Sequence, residues 1–278
     1  MPASVRCLQK RAFCFLSNAG CIGFLIDEVR FLYERSRFFN LPLQMFFEFR
    51  EENVMDYDEM KKRAKEEKSV KVKRFRHLNK LARKGEILFV GSSLMEQFPI
   101  HELLLADRSD AVIYNRGIGG YTIPEMEETI EEQVFELEPA TIFINIGTND
   151  ISDPDCSVDM LTMAYEHLLQ RIRDRLPETM IYVMAYYPAN DRDVEIPPMF
   201  MKLISSRMEK LSDANAAVER LCEKLDIRFI NVNDGLTDET GLLKKEYTVD
   251  GIHMYANGYQ IVYQNMKPYI QEARGMNV

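Results

Sequence analysis

Glu86-Ile87-Leu88-Phe89-Val90-Gly91-Ser92-Ser93-Leu94 is the stretch that decides the fold. Four consecutive apolar residues reach a glycine and two serines, and a helical pattern follows. An apolar run this short, closed by small polar residues, reads as a strand buried on both faces. The same unit recurs along the chain. Further strand candidates are Ala111–Tyr114, Thr141–Ile146, Met180–Ala185 and Arg228–Val232. Helical periodicity fills Thr122–Glu136, Val158–Arg175, Phe200–Lys224 and Ala256–Gln271. Strands alternating with helices imply a parallel sheet covered on both faces, hence an α/β fold. In such sheets ligands bind beyond the carboxyl ends of the strands.

Three short polar segments fall at such ends. Gly91-Ser92-Ser93-Leu94 follows the first strand, Asn115-Arg116-Gly117-Ile118-Gly119-Gly120 the second, and Gly147-Thr148-Asn149-Asp150 the third. A fourth segment, Asp250-Gly251-Ile252-His253, precedes the last helix. Ser93 sits at a strand-to-helix turn, where it is either an exposed nucleophile or a helix N-cap. A nucleophilic serine needs a base. Of the four histidines, His77, His101 and His167 read as surface or satisfied side chains. His253 alone has a carboxylate three residues away. Asp250 can meet its Nδ1–H and leave Nε2 to take the serine proton, although an Asx-turn would also explain an aspartate there. An oxyanion needs donors. The Ser93 N–H, the Gly120 N–H and the Asn149 side-chain amide are the candidates, with ordinary turn residues as the plainer reading of Gly120 and Asn149. A side chain at Gly120 is expected to crowd a substrate.

These four blocks, in this order, resemble the SGNH (GDSL-type) hydrolase family from about Glu86 to Tyr269. Within it, Asn115–Gly120 and the run Leu242–Thr248 look most like acetylhydrolases of the platelet-activating-factor type. The resemblance implies a three-layer α/β/α sandwich with a five-stranded parallel, flavodoxin-like sheet. It implies ester hydrolysis by Ser93, Asp250 and His253, with Ser93, Gly120 and Asn149 forming the oxyanion hole. It implies no metal and no cofactor, and it suggests a homodimer. The expected substrate is a small-molecule ester with a short, acetyl-type acyl group. Rival readings are a carbohydrate O-acetylesterase, an acyltransferase of the same fold, and a non-catalytic flavodoxin-like binding module. One departure stands out. The family carries aspartate before the nucleophile, and this chain has Ser92. Met95 also occupies the last glycine position of Gly-x-Ser-x-Gly, which argues against an α/β-hydrolase elbow. The loop Tyr186–Met199 is expected to shape specificity.

Composition bounds the rest. Net charge is −9, with seven Lys/Arg against four Asp/Glu in residues 1–50, so the remainder carries −12. An acidic body is unsuited to a nucleic-acid surface. No apolar run reaches the ~18–20 residues of a membrane span. Five cysteines without a Cys-x-x-Cys motif exclude a disulfide framework or a zinc site, and Cys156 and Cys222 read as free thiols.

Three segments are expected: residues 1–54, a helical stretch within 55–85, and the hydrolase domain 86–278. In the helix Val72, Phe75, Leu78 and Leu81 recur at helical spacing and should dock on the domain. The first 26 residues loosely mimic an export signal, but cytoplasmic residence is the stronger expectation. Residues 1–54 differ from the body in charge sign and cysteine use. Arg50-Glu51-Glu52 can be encoded by a purine run resembling a ribosome-binding site, so translation is expected to start at Met55.

Overall fold

Leu88, Phe89 and Val90 are completely buried, and their side chains alternate between two hydrophobic clusters. Leu88 and Val90 join one with Ile142, Ile144, Ile181 and Val183. Phe89 joins the other with Phe143, Tyr182, Met184 and Ile230. The period of two puts successive residues on opposite faces. Burial of both sets, about 1.5–3 kcal/mol for each large apolar side chain, drives helices onto both faces.

The computed structural model describes residues 57–192, 194 and 198–275. The expectations for residues 1–54, including the start at Met55, lie outside them. The chain divides into two compact units, Met1–Glu66 and Glu67–Val278. In the first unit the described residues are the opening turns of helix α1 (Tyr57–Asn79), where Arg63 pairs with Glu59 one turn back at 2.8 Å.

The second unit holds the sheet. Its strands are β1 (Ile87–Gly91), β2 (Ile113–Asn115), β3 (Thr141–Asn145), β4 (Met180–Met184) and β5 (Arg228–Ile230). All neighbours run parallel in the order β2-β1-β3-β4-β5, the flavodoxin-like arrangement. One face carries the later turns of α1, then α4 (Ile123–Glu128), α5 (Ile130–Gln133), α7 (Val158–Arg175) and α8 (Pro198–Lys224). The other carries α2 (Ser93–Glu96), α3 (Ile100–Ala106) and α9 (Ala256–Ala273). A short helix, α6 (Thr148–Ser152), follows β3.

Two local expectations need correction. The pattern over Thr122–Glu136 is not one helix. It breaks at Thr129, whose φ of −123° leaves the helical range, and resumes as α5 and a 3-10 turn at Phe135–Leu137. Thr129 Oγ1 instead bonds the Glu125 carbonyl and the Gln133 side chain, which is how threonine competes with helical backbone. The docking stripe of α1 is also different. Val72 is buried and Phe75 half-buried, but Leu78 and Leu81 are exposed. The inward face runs instead through Lys68, Lys71, Val72, Phe75 and Asn79. Three of those five are polar: Lys68 and Asn79 bond Gly120 and Arg116 of the loop after β2, and Lys71 pairs with Glu96 of α2, so hydrophobicity alone misplaced the stripe by one row. No helix among the described residues is long and apolar enough to cross a membrane.

Candidate active site

β1 lies between β2 and β3, so chain segments leaving these strands diverge and open a crevice at their carboxyl ends. Ser93 leaves β1 into this crevice. The helix N-cap is Ser92, not Ser93, and it makes no side-chain cap bond. Ser93 Oγ lies 2.9 Å from His253 Nε2, across 160 residues of chain. His253 Nδ1 lies 2.6 Å from Asp250 Oδ2. An ionised carboxylate only accepts, so the imidazole proton sits on Nδ1 and Nε2 is free to accept from the serine.

The loop between Asp250 and His253 is tied for this task. Asp250 Oδ1 accepts the N–H groups of Ile252 at 3.0 Å and His253 at 2.8 Å. Buried Thr248, which the sequence reading passed over, accepts Gly251 N–H at 2.7 Å and donates to the His253 carbonyl at 3.1 Å. Burial would raise the Asp250 carboxyl. The hydrogen bond and charge of His253, with the two backbone donors, outweigh it and hold the group below the usual carboxylate range. Asp250 is therefore a committed anion beside the imidazole.

The serine at position 92, where the family pattern carries aspartate, has a structural answer. Ser92 is fully buried, and its hydroxyl has no partner among the described residues. The turn is held by other groups. Ser92 N–H bonds the Asn145 carbonyl at 3.3 Å, Tyr259 Oη donates to the Leu94 carbonyl at 2.8 Å, and Asn115 Nδ2 donates to the Met95 carbonyl at 2.6 Å.

The glycine loop lies beside it. A Cβ added at Gly119 would stand 3.7 Å from the Ser93 Cβ. Gly119 N–H donates to Glu96 Oε2 at 2.6 Å, and Lys71 pairs with the same carboxylate. Lys68 donates to the Gly120 carbonyl at 2.9 Å and pairs with Glu125. A Cβ at Gly120 would meet only the flexible end of Lys68, at 3.5 Å, so the protein itself leaves space there. It is the φ of +72° that asks for glycine. Among the described residues neither the Ser93 nor the Gly120 amide has an acceptor.

Asn149 completes the cluster from β3. Its Nδ2 donates to the carbonyl of Tyr121, the residue after Gly120, at 2.8 Å. One N–H of that amide is thus spent and one remains. Gly147, two residues earlier, has φ +115°, and a Cβ there would stand 2.4 Å from Tyr186 Oη, so only glycine permits this turn. Arg207 of α8 donates to Asn149 Oδ1 at 3.3 Å. The sequence reading missed it, although Arg207 stands on the apolar stripe Ile204, Leu211, Ala214, Val218 and Leu221, a sign of a buried charge.

Asp150, next to Asn149 in the same block, faces the start of α4. Its carboxylate accepts the Ile123 N–H at the start of α4, at 3.2 Å to each oxygen. Burial, partly offset by this bond, pushes it up to about 6. An unfolded aspartate titrates near ~3.9. A raised folded value supplies stability that is complete below the unfolded pKa and lost as pH rises through about 6. Asp150→Asn keeps an acceptor but carries no charge. It is expected to be more stable than wild type at pH 8, by about 2–3 kcal/mol, with the gap closing towards pH 4. Thermal melts across this range check it, and a gap independent of pH would contradict it.

The remaining histidines are satisfied or exposed. His101 Nε2 lies 3.1 Å from the Ile113 carbonyl, His167 Nδ1 lies 2.6 Å from Glu127, and His77 is exposed. Cys156 and Cys222 are free thiols. Among the described residues no three His, Cys, Asp or Glu side chains cluster as a metal site would require. In the loop 186–199, residues 193 and 195–197 lie outside the described residues.

Fold and site together define an acylhydrolase of the GDSL-like type. Residues 89–261 match the model of the GDSL-like Lipase/Acylhydrolase family, and the chain belongs to that family. A solved structure from Streptococcus pneumonia, provisionally described as a platelet activating factor, is 30% identical, with a TM-score of 0.68. That match covers 78% of this chain and 99% of the other. A GDSL-like lipase from Bacteroides thetaiotaomicron shares the fold at 22% identity and a TM-score of 0.61, over 73% of this chain and 98% of that one. Among curated proteins, the N-acylneuraminate cytidylyltransferase of Escherichia coli O18:K1:H7 is 27% identical over 180 residues, 64% of this chain. The present chain spans only 38% of that protein's length.

Proposed function

We propose that this protein is a serine esterase that cleaves small carboxylic esters, acetyl-type esters above all, through an acyl-enzyme. The observation that carries the reading is the continuous relay from Ser93 Oγ to His253 Nε2 at 2.9 Å and from His253 Nδ1 to Asp250 Oδ2 at 2.6 Å. In this reading Ser93 Oγ attacks the ester carbonyl carbon while its proton passes to His253 Nε2. The imidazolium so formed lies against the Asp250 anion. The carbonyl oxygen becomes an oxyanion held by the Ser93 N–H, the Gly120 N–H and the remaining N–H of Asn149. His253 returns the proton to the leaving alcohol. Water, deprotonated by the same histidine, then releases the acid from Ser93.

What supports a short acyl group is twofold. The chain resembles acetylhydrolases of the platelet-activating-factor type in its glycine block and in the run before Asp250. Between Ser93 and His253 the described residues form the strands, helices and connections of the sheet fold, with no separate lid domain to shelter a long chain. A panel of p-nitrophenyl esters from two to sixteen carbons, run beside acetylated sugars, tests this. The expected kcat/KM is highest for acetate and falls with chain length. A higher value for the sixteen-carbon ester overturns the short-chain assignment, and no turnover of any ester overturns the esterase reading itself.

A further inference from the structure

Arg207 is only 5% exposed, on the inward face of α8. Its Nε donates to Ser152 Oγ at 2.9 Å and its Nη2 to Asn149 Oδ1 at 3.3 Å. Both partners are neutral. Burial lowers its pKa to about 10, and the Asp250 charge opposes that shift, so the guanidinium stays a cation at neutral pH. A buried charge with neutral partners is costly. If its task were only to pin α6 against α8, a neutral amide or hydroxyl could do it at lower cost.

The geometry at Asn149 gives the charge a use. With Oδ1 facing a cation and Nδ2 facing the Tyr121 carbonyl, only one amide orientation is satisfied. A flip would set oxygen against carbonyl oxygen and NH₂ against guanidinium N–H. A cation at Oδ1 also draws electron density towards that oxygen, which makes the amide N–H groups stronger donors. Of the two N–H groups that strengthen, one is spent on the Tyr121 carbonyl and the other is left free.

We propose that Arg207 is a positioning residue for the reaction, acting through Asn149: it locks the amide so that Nδ2 faces the oxyanion, and its charge polarises that donor. This rests on the role given to Asn149 in the proposed function. Its influence should be felt where negative charge develops, in the transition state, and little in the ground state.

A double-mutant cycle tests it, with kcat and KM on p-nitrophenyl acetate and a thermal melt for each variant. Asn149→Ala should lower kcat by ~10²–10³, as loss of one oxyanion donor does. Arg207→Met should lower kcat by ~10–100-fold and leave KM within about threefold. In the Asn149→Ala background the same change should cost less than about threefold, because the group it acts through is gone. A merely structural arginine would lower the melting temperature and give the same kinetic cost in both backgrounds, and that result overturns the proposal. So does a loss confined to KM. If Asn149→Ala itself leaves kcat unchanged, the oxyanion role fails first and the proposal falls with it. If Asn149→Ala is impaired but Arg207→Met adds in full, the oxyanion role stands and only the proposal falls. Should Arg207→Met give no cooperative melt, the cycle is run with Arg207→Lys. That change keeps the charge but cannot hold Ser152 and Asn149 in one fork. Its expected several-fold cost should again vanish without Asn149, and a cost that persists there overturns the proposal.

Discussion

Ser93→Ala is expected to remove esterase activity, lowering kcat by ~10⁴–10⁶, while the melting temperature stays near that of wild type. The hydroxyl is the group that attacks in the proposed reaction, and alanine leaves no nucleophile at that position. Ser93 is partly exposed at the start of a four-residue helix, so its loss removes little packing. The control is its neighbour. Ser92 is buried, its hydroxyl is unpartnered, and the backbone bonds that hold the turn do not involve its side chain. Ser92→Ala should therefore keep most of the activity, and removing a buried unsatisfied hydroxyl should cost no stability. Steady-state kinetics and melts of both variants decide between them. An active Ser93→Ala with a dead Ser92→Ala would place the nucleophile one residue too late.

Asp250→Asn is expected to lower kcat by ~10³–10⁴ with the site geometry nearly unchanged. The reason lies in how both carboxylate oxygens are used. Oδ1 accepts two backbone N–H groups and Oδ2 faces His253 Nδ1. An asparagine keeps the backbone bonds only by turning its oxygen to Ile252 and His253, which points its NH₂ at Nδ1. Nδ1 must then accept, so the ring proton moves to Nε2. An imidazole protonated there cannot take a proton from Ser93. The measurement is kcat against pH together with a crystal structure of the variant. Near-wild-type kcat would show that Asp250 orients the loop and nothing more.

Much of the candidate site's geometry was legible because each block is local. Asp250 and His253 are three residues apart, and Ser93, Gly120 and Asn149 each follow an apolar strand, so their placement at one end of the sheet follows from parallel strands alone. All five strands were legible for the same reason, with only their ends shifted by a residue or two. The arrangement of α1 was not. Lys68 and Lys71 look like surface charges in sequence, yet their partners are Gly120, Glu125 and Glu96, which the fold brings to them from later in the chain. The break at Thr129 was hidden because the residues on either side keep a helical apolar period. Arg207 was the harder omission. Its partner Asn149 lies 58 residues away, and only its place on an apolar stripe marked it. The reason for glycine at Gly120 also had to come from the backbone, because φ is not written in composition.

The central claim is that Ser93 is an activated nucleophile with His253 as its base. Stoichiometric reaction with a fluorophosphonate, followed by digestion and peptide mapping, tests it most directly. One adduct per chain on Ser93, lost in Ser93→Ala and strongly slowed in His253→Ala, is the predicted result. An enzyme that stays unlabelled, or an adduct on any other residue, contradicts it.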